Sequence, residues 1–198
     1  MFVWSQILLL LTIPVAIYFL FTRIENAHYD VKVNGLITLF LLFSNELLPL
    51  LNEEFYITIS GYLVMGIHVF ILIVLLDVIH WLRPEFSRYP YPFVYIPLII
   101  LLSYPFIEGT EVLINIILTI IQGGSLFVLG TLYIGHYSSF KRKWIALLSI
   151  FTFLAAFSIF WFLPGNIEIS KWMWQPLIVV GMISSAYTLA YLLLDNQP

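Results

Sequence analysis

Seven long apolar stretches, separated by short polar ones, follow one another along the 198 residues of the chain. A helix needs about 20 apolar residues to cross the ~30 Å hydrocarbon core of a bilayer, and roughly 17 to 25 are tolerated. The pattern therefore predicts an all-α integral membrane protein, a bundle of seven transmembrane helices. Their expected positions are 2–22, 33–51, 57–82, 91–107, 111–134, 144–163 and 173–194.

The fourth stretch carries the weakest signal, because Pro90, Pro92, Pro97 and Pro105 crowd a short segment. Proline removes a backbone donor, and lipid offers no substitute for the lost hydrogen bond. A chain with six transmembrane helices is the alternative that this segment leaves open.

Basic residues in the loops predict the orientation, since lysine and arginine are retained on the cytoplasmic side. With seven helices, one side of the membrane collects seven of the eight basic residues: Arg23, Lys32, Arg83, Arg88, Lys141, Arg142 and Lys143. This distribution places the N-terminus outside and the C-terminus in the cytoplasm. It requires the fourth helix to cross, because otherwise the cluster at Lys141 would lie opposite the pair at Arg83.

Composition supports the same class, since 62% of the residues are apolar and 10% are charged. Soluble domains average roughly 45–50% apolar and ~25% charged residues. We expect residues 1–198 to form a single polytopic membrane domain, with the lipid bilayer as its main partner. The absence of an organellar presequence makes a bacterial cytoplasmic membrane the simplest location.

Charge and cysteine content exclude several other classes of function. The net charge of −3 is small and dispersed, so no nucleic acid is expected as a partner. The chain has no cysteine, which excludes disulfides, thiolate chemistry and cysteine-ligated metals.

Two stretches of the chain resemble each other, "AHYDVKVNGLITL" at 27–39 and "GHYSSFKRKWIAL" at 135–147. Aligning His28 with His136 also aligns the apolar residues that follow, without a gap. A spacing of 17 residues between a proline and a glycine recurs, from Pro49 to Gly66 and from Pro164 to Gly181. A parallel 3+1+3 repeat is one interpretation, with helices one to three at 2–82, a connector helix at 91–107 and helices five to seven at 111–194. Chance similarity between apolar stretches is the other.

This three-one-three layout resembles that of the SWEET sugar transporters and the KDEL receptors. The resemblance is one of architecture alone. The Pro-Gln dipeptide of their PQ-loop relatives is absent from this chain, so no residue role is carried over. What the resemblance implies is a central site between the two sets of three helices.

Polar residues deep in lipid are costly and therefore mark candidate sites. At about 1.5 Å per residue, His68, Gln122, Ser184 and Ser185 fall at similar depths near the middle of the predicted helices. One interpretation is a substrate or proton site lined by His68 and Gln122. The other is interhelical hydrogen bonding without any ligand.

Glu46 is the most informative carboxylate, because it lies about 8 Å inside the outer end of the second predicted helix. A buried carboxyl group there suits proton coupling, and Asn115 of the fifth helix falls at a comparable depth. The alternative is that Pro49 ends the helix early and Glu46 reaches water.

Asp77 and His80 offer the only spacing that suits a metal, since residues three apart share a helix face. A metal site normally has a third protein ligand, so we predict instead that Asp77 holds His80 or pairs with Arg83. No metal and no cofactor are expected. The chain lacks a nucleophile elbow, an HExxH motif and a phosphate-binding glycine loop, so no catalytic residue is proposed and an enzyme is the least favoured class.

Three classes of function remain open. The first is a small-molecule or ion transporter or binding bundle that uses the midplane polar residues. The second is a seven-helix sensor or an accessory subunit of a membrane complex. The third is an intramembrane enzyme acting on lipid or isoprenoid, with Asp77, His80 and His136 near the inner leaflet. Small residues in the fifth and seventh helices predict packing seams, which close the bundle or contact a second copy or a partner membrane subunit.

Overall fold

A computed structural model describes residues 2–23, 29–82, 84–107, 109–138, 140, 142–162 and 167–195. Every regular element in these ranges is helical, as the sequence predicts. The elements are α1 Phe2–Arg23, α2 Tyr29–Leu51, α3 Glu53–Leu82, α4 Pro84–Ser87, a 3₁₀ helix Tyr91–Tyr95, α5 Leu98–Ile107, α6 Glu111–His136, α7 Lys143–Phe162 and α8 Ile167–Asp195.

Within the part of the chain that the structure describes, four helices are long and apolar enough to cross a membrane, namely α2, α3, α6 and α7. The fold is therefore that of a helical membrane protein. The total of seven crossings and the orientation of the chain stay predictions. Four positions used in the sequence analysis, His28, Arg83, Lys141 and Pro164, lie outside the described residues.

The fourth predicted helix is not continuous. A 3₁₀ helix at Tyr91–Tyr95 is followed by a turn and then by α5, which has 10 residues. Pro97 explains the break, because it lacks the N–H group that a continuous helix would use at this position. At about 1.5 Å per residue α5 is only about 15 Å long, half of the hydrocarbon core.

Residues 29–129 form one compact unit of the chain. In it α2 packs along α3, and α4, the 3₁₀ helix and α5 also contact α3. The turn between α2 and α3 is the single residue Asn52, whose side-chain oxygen accepts a hydrogen bond from the Phe55 N–H at 3.0 Å. This cap begins α3 directly after α2, so the two helices form a tight hairpin.

Residues 1–28 and 130–198 form the second compact unit. Here α7 packs along α8, and α8 also contacts α1. The close approach of α7 and α8 depends on Gly181, since a Cβ atom at this position would lie 3.0 Å from Phe153 and Thr152. Trp174 and Ile178 of α8 are fully buried and contribute the core of this unit.

The grouping of helices bears on the predicted repeat. In that repeat α1 and α6 are counterparts, as are the hairpins α2–α3 and α7–α8. Each compact unit contains one hairpin, and α1 belongs to the unit of α7 and α8, whereas most of α6 belongs to the unit of α2 and α3. The helices are thus not grouped as two consecutive sets of three, and both the repeat and the single domain stay predictions.

Candidate functional site

The central polar contact of the unit 29–129 joins His68 of α3 and Gln122 of α6. His68 lies at the middle of the 30-residue α3, and Gln122 lies close to the middle of α6. Their side chains are 1% and 3% exposed, and the two Nε2 atoms are 2.9 Å apart. Two of the predicted site residues are therefore in direct contact.

The hydrogen bonds of His68 determine where its proton lies. The Nδ1 atom is 2.8 Å from the Val64 carbonyl oxygen, which can only accept a hydrogen bond, so Nδ1 carries the hydrogen. The Nε2 atom is then the acceptor, and the Gln122 amide donates to it. His68 is held as one neutral tautomer with a partner at each ring nitrogen.

Glu46 lies in a second polar group, close to the turn between α2 and α3. Helix α2 continues through Pro49 to Leu51, and the Glu46 side chain is buried with 5% exposure. Asn45 donates to Glu46 Oε1 at 3.5 Å, and the Tyr56 hydroxyl donates to Asn45 Oδ1 at 3.4 Å. Both distances are long for hydrogen bonds, so these contacts are weak.

Asn115 is placed differently from the other predicted site residues of this unit. Its side chain is exposed on the first half of α6, and its backbone carbonyl accepts a hydrogen bond from the Thr119 hydroxyl at 2.8 Å. Asn115 therefore lies on the surface of the described chain, whereas Glu46, His68 and Gln122 are buried.

Ser184 and Ser185 belong to the other compact unit and are buried in α8. The Ser185 hydroxyl bonds to Ser149 of α7 and accepts a hydrogen bond from the Tyr133 hydroxyl at 3.3 Å. The Ser184 hydroxyl donates to the Val180 carbonyl of its own helix at 2.7 Å. The contacts of Ser185 are thus interhelical, whereas Ser184 bonds within its own helix.

A further polar group of the unit 29–129 surrounds the buried Asp77, and the sequence did not predict it as a whole. Asn34 of α2 donates to Asp77 Oδ2 at 2.6 Å, and the Tyr91 hydroxyl donates to Asp77 Oδ1 at 2.8 Å. The Asn34 amide also reaches the Tyr95 hydroxyl at 3.2 Å, and the two tyrosine hydroxyls are 3.4 Å apart. Asp77 is 0% and Asn34 3% exposed, so a carboxylate with two donors lies fully inside the unit.

The hydrogen bonds of Asp77 thus come from residues other than His80, which acts on it electrostatically, while Arg83, the other predicted partner, lies outside the described residues. Both carboxylate oxygens accept hydrogen bonds from Asn34 and Tyr91, while the His80 ring packs edge-on against Trp81 and Tyr91 at 5.6 and 5.4 Å between centroids. A signal for Asn34 was present, since Asn34 and Thr38 are polar residues four apart on the buried face of an apolar helix. No sequence pattern predicts that Tyr91 and Tyr95 contact this group, because their placement depends on how the chain folds back after α3.

In the described ranges, no three His, Asp or Glu side chains lie close enough together to hold a metal ion. No family model, no curated protein and no solved structure matches the chain. The fold and its polar groups define the class on their own. The chain is a helical membrane protein with ionisable side chains buried among its helices.

Proposed function

We propose that the protein is an ion transporter of the membrane, that the ion is the proton, and that His68 and Gln122 form its central site. One observation carries the proposal. Three ionisable side chains, Glu46, His68 and Asp77, are buried and hydrogen-bonded within one compact unit. A charge at the centre of a bilayer costs about 2.5–3.5 kcal/mol or more, and buried ionisable residues in membrane helices commonly mark proton pathways.

The three side chains are spread along the α2–α3 hairpin. Glu46 lies near the turn, His68 at the middle of α3, and Asp77 close to the other end of α3. Asp77 follows His68 by nine residues, which corresponds to about 14 Å along the helix axis. A proton would cross such intervals on water molecules or by rotation of side chains, with the three residues as successive binding positions.

The central pair suits both protonation states of the imidazole. In the neutral state the Gln122 amide donates to His68 Nε2. When Nε2 is protonated, rotation of the Gln122 amide by half a turn offers its oxygen as the acceptor. Gln122 can therefore follow a proton that arrives at and leaves His68, without any change in the helices.

The sensor or accessory subunit and the intramembrane enzyme receive no comparable support. His136 Nδ1 donates to the Leu132 carbonyl of its own helix at 3.0 Å, and the Asp77 carboxylate is already bound by Asn34 and Tyr91. A partner that copurifies in fixed ratio would favour the accessory subunit, and turnover of a lipid would favour the enzyme.

Proton flux into liposomes tests the proposal directly. The full-length protein is reconstituted with a pH-sensitive dye inside, and a potassium diffusion potential drives protons inward. We expect faster acidification than in protein-free liposomes, and a reduction of roughly 10²-fold in His68→Ala, as for loss of a positioned proton-transfer group. Gln122→Ala should also conduct more slowly, because it removes the residue that positions the imidazole. Thr119→Ala, on the exposed face of α6, is the matched control and should conduct like the wild type.

Two outcomes of this experiment would overturn the proposal. One is a wild-type protein that acidifies liposomes no faster than lipid alone. The other is a pair of variants, His68→Ala and Gln122→Ala, that are correctly folded and conduct as well as the wild type.

A further inference from the structure

We infer that the hydroxyl groups of Tyr91 and Tyr95 form the path by which a proton reaches Asp77, one of the three proposed binding positions. The inference rests on the proposed transport function for its role in the protein. It rests on the geometry around Asp77 for its chemistry. In the proposed pathway, protons enter or leave at Asp77 and the two tyrosines, at the end of the α2–α3 hairpin opposite Asn52.

The position of Asp77 near the end of α3 suits the entry or exit of protons. Asn34 lies five residues from the start of α2, and Asp77 lies five residues from the end of α3, which places both about 8 Å inside the helix ends. Asp77 is fully buried, whereas Tyr91 and Tyr95 of the 3₁₀ helix are partly exposed. The two hydroxyls therefore lead from the surface of the unit to a buried carboxylate.

The hydrogen bonds have one direction while Asp77 is ionised. Each carboxylate oxygen can only accept, so the Tyr91 hydroxyl donates to Oδ1 and its own oxygen is left to accept from Tyr95. The Asn34 amide donates both to Asp77 Oδ2 and to the Tyr95 oxygen, which holds the ring of interactions together.

Proton uptake reverses this direction and leaves every heavy atom in place. The O–H bond of Tyr91 breaks as a new O–H bond forms on Asp77 Oδ1. The Tyr91 oxygen takes the hydrogen of Tyr95, and the Tyr95 oxygen takes a proton from a hydronium ion at the surface, which leaves a water molecule. One proton enters, the carboxylate becomes neutral, and Asp77 now donates to Tyr91, which donates to Tyr95.

Among the described residues, titratable groups of three elements lie around Asp77. Asp30 of α2 and His80 of α3 act on it electrostatically, and Tyr91 and Tyr95 are the groups from the 3₁₀ helix. Neither Asp30 nor His80 is part of the path, so Asp30→Asn and His80→Gln should leave the two hydroxyls of the path in place.

Infrared difference spectroscopy on the full-length protein in lipid tests the inference without any transport measurement. We expect a carboxylic-acid C=O band that appears on acidification and is absent in Asp77→Asn. After a rapid pH drop, the band should form roughly 10²-fold more slowly in Tyr91→Phe and in Tyr95→Phe, because each removes one proton-transfer group. The exposed Tyr89→Phe is the matched control and should keep the wild-type rate.

The inference is overturned if no such band depends on Asp77 over the pH range in which the protein stays folded. It is also overturned if the Tyr91→Phe and Tyr95→Phe variants form the band at the wild-type rate. Failure of the proposed function gives a different result. If the wild type shows no proton flux but the tyrosine variants form the band slowly, transport is contradicted and the path to Asp77 is retained.

Discussion

The Nε2 atoms of His68 and Gln122 lie 2.9 Å apart at the middle of α3 and α6, and this contact fixes the imidazole as the Nδ1–H tautomer. It is a direct polar bond between two buried side chains that are 54 residues apart in the chain. Such bonds between membrane helices average about 0.6 kcal/mol and reach about 1.7 kcal/mol in double-mutant cycles. The pair is therefore a measurable element of stability as well as the proposed central site.

A double-mutant cycle should detect this bond. We expect His68→Leu and Gln122→Leu to be coupled by about 0.6 to 1.7 kcal/mol in the free energy of unfolding, measured by denaturation in mixed detergent. The control cycle pairs His68→Leu with Thr58→Ala, which lies ten residues away on the exposed face of α3 and should add independently. Additive effects in the first cycle would show that the two side chains do not bond in the folded protein.

Two asparagines offer a matched comparison of buried and exposed positions. Asn34→Leu removes a donor from the buried Asp77 carboxylate, and we expect it to lower the free energy of unfolding by about 1.5 to 3 kcal/mol. Asn115→Leu alters the exposed face of α6 and should leave stability within about 0.5 kcal/mol. Equal effects of the two substitutions would contradict the burial assigned to Asn34 and the exposure assigned to Asn115.

Gly181 should be far less tolerant of a methyl group than Gly130. An added Cβ at Gly181 lies 3.0 Å from Phe153 and Thr152, so Gly181→Ala must push α7 and α8 apart and should cost about 1 to 3 kcal/mol. At Gly130 no described atom lies within 4 Å, and Gly130→Ala should stabilise α6 by up to about 1 kcal/mol through helix propensity. Thermal unfolding of the two purified variants distinguishes them, and a Gly181→Ala protein as stable as the wild type would rule out the close packing.

The absence of cysteine makes the predicted orientation easy to test by single-cysteine labelling. With seven crossings, Ser87→Cys and Ser138→Cys should react only from the cytoplasmic side, and Thr110→Cys only from outside. All three positions are exposed. If the fourth segment does not cross, Ser87→Cys and Thr110→Cys will react from the same side, and the six-helix alternative will be correct. A membrane-impermeant thiol reagent applied to cells and to inverted vesicles gives the answer.

The membrane class and the polar residues at the centre could be predicted from the sequence because both depend on local properties. Transfer of a helix into lipid is favoured by the sum of about 20 neighbouring side chains, which the apolar pattern displays directly. The depth of His68 and Gln122 follows from counting residues along two helices of fixed rise, so their similar height was apparent before their contact was known.

The partners of Asp77 could not be predicted in the same way. The sequence suggested His80 because residues three apart share a helix face, yet the bonds to Asp77 come from Asn34 and Tyr91. Both depend on how α2 is rotated about its axis and on where the proline-rich segment after α3 folds back. The rotation of α2 and the course of the chain after α3 are set by many weak contacts between distant segments. No short stretch of sequence shows these contacts.

The sequence by itself therefore determined that the chain is a helical membrane protein and that His68 and Gln122 lie near the middle of their helices, since hydropathy and helical rise act along the chain. Only the tertiary structure decided which of them meet. It brought Gln122 to His68 and Asn34 to Asp77, left Asn115 on the surface, and bonded Ser185 to Ser149. A buried polar group is stabilised only by a partner at hydrogen-bond distance, and that distance is set by the packing of helices far apart in sequence.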